Sequence, residues 1–205
     1  SKEYGSLLPY NPNSDSDGMT EAKTSVWLQQ LKRAIRGNRR DAHNRYFQFA
    51  TLGLDGKPRV RMVVFRGFSP SEASFFIITD ARSEKVKELA RCPDVEVSWY
   101  FTQTREQFRL QCSAVTHSHG TDADFHRDAL WKGLSDSAKA QFFWADPGLP
   151  SGEGQSLEIT TYAPETFVVI ECSPQRIDHL VLAKIQRRTV SDLSASGWTE
   201  VSINP

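Results

Sequence analysis

The chain has 205 residues, 39% of them hydrophobic and 24% charged, a composition that fills a core and excludes wholesale disorder. Its 25 Lys and Arg balance 25 Asp and Glu, so net charge gives no non-specific attraction to nucleic acid or to an anionic membrane. No run approaches the ~18 apolar residues of a membrane-spanning helix. Three widely spaced cysteines, Cys92, Cys112 and Cys172, form neither a disulfide framework nor a CxxC metal knuckle, so a cytoplasmic or other reducing intracellular compartment is expected.

Ser1 to Thr20 are rich in Asn, Ser, Asp, Gly and Pro and are expected to be a flexible leader over residues 1–20, not a secretory signal. Ala22 to Arg40 contains no acidic residue but holds Lys23, Lys32, Arg33, Arg36, Arg39 and Arg40. Val26, Trp27, Gln30, Leu31, Ala34 and Ile35 recur at helical spacing, predicting an amphipathic helix that ends near Gly37. Its basic side is either a solvated face or a wall for an anionic ligand.

The period then changes to two. Tyr46, Gln48, Ala50 and Leu52 alternate with Arg45, Phe47, Phe49 and Thr51, as in a strand. Asp55-Gly56-Lys57-Pro58 is a turn signal, followed by a strand over Arg59–Arg66. Ser69-Pro70-Ser71-Glu72 turns the chain again into an apolar strand, Ser74–Thr79. The expectation is a three-stranded meander. A short helix follows, with Asp80 and Ser83 as candidate caps, Val86, Leu89 and Ala90 on one face and Pro93 as its stop. Asp94–Thr102 alternates cleanly, and after a turn Phe108, Leu110, Cys112 and Ala114 oppose Gln107, Arg109 and Gln111 on the next strand.

Asp122–Leu134 and Ser135–Trp144 read as two short helices, and Asp146–Gly154 as a proline-containing loop. Strands return at Thr166–Cys172, Gln175–Ala183, Gln186–Ser191 and Trp198–Ile203. Many short strands without βαβ alternation predict a mainly β chain, folded as a closed or partly closed antiparallel barrel over one domain, residues 21–205.

The chain lacks the G-x-S-x-G elbow, the G-x-x-x-x-G-K-[ST] phosphate loop and a G-x-G-x-x-G after a strand. His117, His119, Asp122, Asp124 and His126 could ligate a metal, but they lie in a strand-to-helix loop where Asp122 can cap and histidines are solvated; no metal is expected. Trp99, Tyr100 and Phe101 could stack on single-stranded nucleic acid, but Trp99 and Phe101 alternate with Val95 and Val97 and so belong to a core. The most informative group is Arg61 to Arg66, Ile78 to Lys85 and Gln107 to Leu110. Thr79, Ser83 and Lys85 stand where an apolar strand meets a short helix. Free N–H groups at a helix start, hydroxyls and two long cations suit a phosphate, although capping and solvated charge explain the same residues.

These stretches resemble the pyridoxamine phosphate oxidase superfamily of FMN-binding split β-barrels, and within it the related proteins of unassigned substrate. The resemblance rests on Asn44 to Thr51, Asp55 to Arg66, Thr79 to Val86 and Gln107 to Leu110, extended by Leu134-Ser135, Phe143-Trp144 and Trp198 to Pro205. It implies FMN as cofactor, held in a groove at a homodimer interface. Arg61 and Lys85 would bind the phosphate with Thr79 and Ser83, Met62, Val63 and Val64 would border the flavin beside Ile78, and Gln107 would reach the ribityl chain or ring. Arg187, or Arg188, would approach the pyrimidine edge, where a cation favours hydride acceptance. Arg66 stands where the family has a lysine and would face the substrate. The family's R-x-H-D-R-like stretch is replaced by Ala183-Lys-Ile-Gln-Arg187, so the pyridoxamine phosphate site is not reproduced. The implied activity is FMN-dependent hydride transfer with an unidentified small molecule. The alternatives are a non-catalytic flavin-binding module, or haem binding through His117, His119 or His126.

Overall fold

The computed structural model describes residues 25–120, 124–148 and 160–205. The expected leader, the Ala22–Thr24 start of the first helix, the Asp122 cap and the Leu149–Gly154 part of the loop lie outside the described residues. Among the described residues no helix is long and apolar enough to cross a membrane.

Helix α1 (Val26–Gly37) buries Trp27, Leu28, Leu31 and Ala34 on one stripe, the face that the periodicity predicts except that Val26 is exposed and Leu28 is buried in its stead. Asn38 closes it: Nδ2 donates to Ala34 O at 2.8 Å, and Oδ1 accepts from Gln103 N at 2.8 Å. A 3-10 turn, Ala42–Arg45, leads into β1 (Tyr46–Leu52) and β2 (Pro58–Val64). Gly56, at φ 75°, occupies the left-handed region that the hairpin turn needs and that a Cβ disfavours. Next come β3 (Phe75–Asp80), α2 (Glu84–Arg91), β4 (Asp94–Phe101), β5 (Glu106–His117), α3 (Asp124–Lys132), α4 (Asp136–Ala140), β6 (Phe167–Val181), β7 (Arg187–Ser194) and β8 (Gly197–Ile203).

The sheet is antiparallel and runs β2-β1-β4-β5-β6-β7-β8, with β3 attached to β6. It does not close on itself, as the split-barrel expectation allows. The expected meander is formed only in part: Arg66 N donates to Phe76 O and Phe76 N donates to Gly67 O, both at 2.9 Å, but the regular ladder of β3 is not with β2. β1 pairs with β2 and β4, whereas β3 pairs with β6 from Phe75↔Cys172 to Asp80↔Phe167. The reason is burial: Phe75, Phe76 and Ile77 are all buried, and a strand apolar on both faces needs cover on both. Phe75 and Ile77 join the main core, while Phe76 joins a second cluster with Trp131, Leu134, Phe142, Phe167 and Val169.

The two strands expected at Thr166–Cys172 and Gln175–Ala183 are a single strand, β6. Its register against β5 shifts where Cys112 faces Pro174 and Gln111 faces Arg176. Proline lacks the N–H for a regular ladder and is accommodated at such an irregularity. β3 and β7 therefore lie in tandem along one edge of β6, on either side of this shift.

A polar knot ties α1 to the sheet. His179, 3% exposed, lies flat on Phe108 with ring centroids 4.0 Å apart. Its Nδ1 is 3.0 Å from Gln30 Oε1 and its Nε2 is 2.8 Å from Glu106 Oε2. Burial raises the Glu106 pKa, but hydrogen bonds from His179 and Thr104 outweigh it and hold the carboxyl below its ordinary 4.5. A carboxyl depressed in the folded state contributes stability above its unfolded pKa, and that contribution disappears as the pH falls through the folded value. Glu106→Gln is thus expected to flatten the fall in Tm between about pH 6 and pH 3, read by calorimetry. An acid limb as steep as that of the parent protein would refute the pair's role.

Candidate functional site

A groove of about 450 Å³ opens between β2, β3, the start of α2 and the chain around α4. Arg61, Met62, Val63, Val64, Arg66, Ile78, Thr79, Ser83 and Lys85 all line it, so nine of the eleven expected site residues meet in one place. Strand pleating explains the arrangement. Arg61 and Val63 share the inner face of β2, while Met62 points outward and is exposed.

The polar end is built by the β3–α2 junction. Ser83 is the N-cap residue, yet its side chain makes no capping bond, so the first N–H groups of α2 have no side-chain cap and an anion can approach them. Lys85 Nζ donates to Thr79 Oγ1 at 2.9 Å and to Ser83 Oγ at 3.2 Å, and the two hydroxyls are 3.1 Å apart. Burial lowers the Lys85 pKa and the Arg61 charge lowers it further, against the raising influence of Glu88 and Asp80. A half-desolvated ammonium beside two hydroxyls and a helix start is a donor set for a phosphate.

Arg61 is more constrained than its sequence position suggests. Its Nη2 donates to Glu88 Oε2 at 2.8 Å, its Nη1 donates to Thr51 Oγ1, and Thr51 Oγ1 donates to the same carboxylate at 2.6 Å. Glu88 is only 2% exposed. This buried carboxylate holds the guanidinium at the groove and offsets part of its charge. Glu88 and Thr51 escaped the sequence reading, although Glu88 stands three residues after Lys85 on a helix and so shares its side. A second tether, also unforeseen, joins Arg82 to Asp80 at 2.7 Å, to Asp146 at 2.7 Å and to Trp144 O at 3.0 Å. It fixes the wall that carries Trp144 and Pro147.

Gln107 and Arg187 do not line this groove. Gln107, on β5, pairs with Tyr100 of β4 and lies three strands from β2, which is about 14 Å at sheet spacing. Arg187 opposes Val181 and is exposed, whereas Arg188 is clamped by Asp178 through bonds of 3.0 and 2.7 Å. His117 is bound to Glu171 at 2.8 Å, and its ring lies 5.6 Å from that of His126. Among the described residues no group of three His, Cys, Asp or Glu residues is placed to hold a metal ion.

The family model described as pyridoxamine 5'-phosphate oxidase, FMN-binding domain, matches residues 24–118, which include β1 to β5 and the phosphate-suited junction. Pyridoxine/pyridoxamine 5'-phosphate oxidase 2 of Arabidopsis thaliana is 32% identical over 191 residues, covering 87% of this chain and 96% of that protein. The crystal structure of a pyridoxamine 5'-phosphate oxidase-related, FMN-binding protein from Nostoc punctiforme superposes with a TM-score of 0.84 at 32% identity, covering 89% of this chain and all of that one. PhzG from Burkholderia lata shares the fold, with a TM-score of 0.76 at 18% identity over 92% of this chain and 98% of its own. A groove chemically suited to a phosphate and relatives matched along nearly their whole length agree: the chain belongs to the FMN-binding pyridoxamine 5'-phosphate oxidase family, and FMN is its cofactor.

Proposed function

We propose that the protein is an FMN-dependent oxidoreductase, working as a homodimer on a small molecule other than pyridoxamine phosphate. The observation that carries this reading is the meeting of Arg61, Thr79, Ser83 and Lys85 at one end of a single groove. Lys85 and Arg61 bind the phosphate, the two hydroxyls orient it, and Met62 to Val64 with Ile78 border the ring system. Bound FMN supplies hydride transfer. Arg66 faces the substrate, and Ala183–Arg187, in place of the family's substrate stretch, argues for a different one.

The dimer accounts for Gln107, which lies outside the groove. Tyr46, Leu52, Val60, Met62 and Tyr100 are exposed on one outward sheet face, and alternation puts Gln107 on that same face. Pairing two such faces covers this exposed apolar surface and brings Gln107 of one protomer to the groove of its partner; Arg188, not Arg187, shares that face, because Leu180 opposes both Gln107 and Arg188.

The purified protein is expected to be yellow, with about one FMN per chain, and to gain thermal stability when FMN is added to flavin-free protein. Colourless protein without that gain would overturn the flavin reading. Oxidoreductase activity requires anaerobic bleaching of the bound flavin by an amine or by NADPH, and return of the colour with oxygen. Redox silence over a broad panel would leave a flavin-binding module, a reading that the altered Ala183–Arg187 stretch motivates equally well.

A further inference from the structure

The wall of the flavin groove that carries Phe142, Trp144, Ala145 and Pro147 has little packing beneath it. Helix α4 buries none of its residues, the 3-10 turn after it (Gln141–Phe143) buries only Phe142, and every residue from Trp144 to Gly148 is exposed. A segment with so few buried contacts depends on its polar tethers for a fixed position. Two tethers tie it to the β3–α2 junction. One is Arg82, which grips Asp80 through Nε and Nη2 at 2.9 and 2.7 Å, while its Nη1 donates to Trp144 O at 3.0 Å and to Asp146 Oδ1 at 2.7 Å. The other is Thr166, just ahead of β6. Its carbonyl accepts from Ala81 N at 2.7 Å, and its Oγ1 donates to Phe142 O at 3.0 Å. The carbonyls of Pro164 and Phe167, on either side of it, are held in turn by the buried Arg127 at 2.8 and 2.9 Å.

Arg82 stands between Thr79 and Lys85 in the chain, where a third phosphate cation would be the simple expectation. Its contacts argue against that role. Four bonds occupy its guanidinium, which has five N–H donors, and two carboxylates, Asp80 and Asp146, face its one charge. Neither Arg82 nor Thr166 lines the groove, whereas Asp80 and Trp144 do. We propose that Arg82 is a positioning residue for the flavin's ring and not for its phosphate: with Thr166 it clamps the wall from Phe142 to Pro147 against the β3–α2 junction and so fixes the width of the groove. The wall is aromatic and apolar, a surface that meets a ring and offers a phosphate nothing. This assignment rests on the flavin reading.

The test titrates the flavin-free chain with FMN and with riboflavin, in the parent and in Arg82→Gln, Arg82→Lys and Asp146→Ala. Arg82→Gln is expected to weaken both flavins by the same factor, about tenfold, where loss of a phosphate cation weakens FMN alone. Lysine reaches one acceptor but not all of them, so Arg82→Lys recovers part of the affinity. Asp146 is exposed, so Asp146→Ala folds and loosens the clamp from the side of the wall; a few-fold loss for both flavins is expected. Acrylamide quenching of Trp144, taken as the difference between each protein and its Trp144→Phe counterpart, is expected to rise in Arg82→Gln and Asp146→Ala with no flavin present. Unchanged affinities in Arg82→Gln, a loss confined to FMN, or unchanged Trp144 quenching would overturn the assignment while the parent still binds FMN. A parent that binds neither flavin would sink the flavin reading, and the assignment with it.

Discussion

Removing both phosphate cations, Arg61→Ala with Lys85→Ala, is expected to weaken FMN about a hundredfold to ten-thousandfold and to leave riboflavin within a few-fold of the parent. A phosphate monoester carries about −1.5 to −2 charges near neutral pH. Each charge-assisted contact contributes ~1.5–3 kcal/mol, and every 1.4 kcal/mol is about a factor of ten. Riboflavin lacks that group and makes neither contact. The two single variants are not equivalent. Lys85 is partly desolvated by burial and donates to two hydroxyls, whereas the charge of Arg61 is partly spent on Glu88. Lys85→Ala therefore costs more than Arg61→Ala. Quenching of flavin fluorescence on binding measures each of these affinities. Equal losses for FMN and riboflavin would place the phosphate elsewhere.

Trp99→Ala is expected to cost about 3–5 kcal/mol of folding stability. The indole is 1% exposed, with ring centroids 5.1 Å from Phe47 and Phe65 and 4.9 Å from Phe101. Its Nε1 donates to Asn44 O at 2.8 Å. Truncation opens a hole that several aromatic rings cannot fill without leaving their rotamers, and it strands a buried carbonyl. Trp99→Phe keeps most of the stacking and loses the bond, for a cost of about 1–3 kcal/mol. Urea denaturation of the three proteins gives the order. A loss below about 1 kcal/mol for the alanine variant would show that the aromatic stack is not central to the core.

The parts of the site legible in the sequence are those set by neighbours along the chain. Thr79, Ser83 and Lys85 lie within seven residues, so one strand-to-helix junction places all of them, and alternation alone places Arg61 with Val63. Legibility fails where a partner is remote. Nothing in the period of Phe75 to Asp80 says that its ladder is with residues 167–172; the adjacent turn points to β2, whose end makes only two hydrogen bonds to Phe76. Pro174 looks like a strand breaker, but a register shift absorbs it within β6. Glu88 reads as an ordinary helix carboxylate until Thr51 and Arg61 arrive from other elements. Gln107 could be assigned a chemistry by resemblance, but not a distance; three strand spacings separate it from β2.

The pairing of β3 with the first half of β6 has a kinetic consequence. Ile77 meets Ile170, so a wall of the flavin groove waits for chain made some ninety residues later, and closing so long a loop slows folding. On the ribosome, Phe75, Phe76 and Ile77 emerge well before their cover, an adhesive segment in the nascent polypeptide. A holdase chaperone would meet the molecule at that segment during synthesis, before cofactor loading begins.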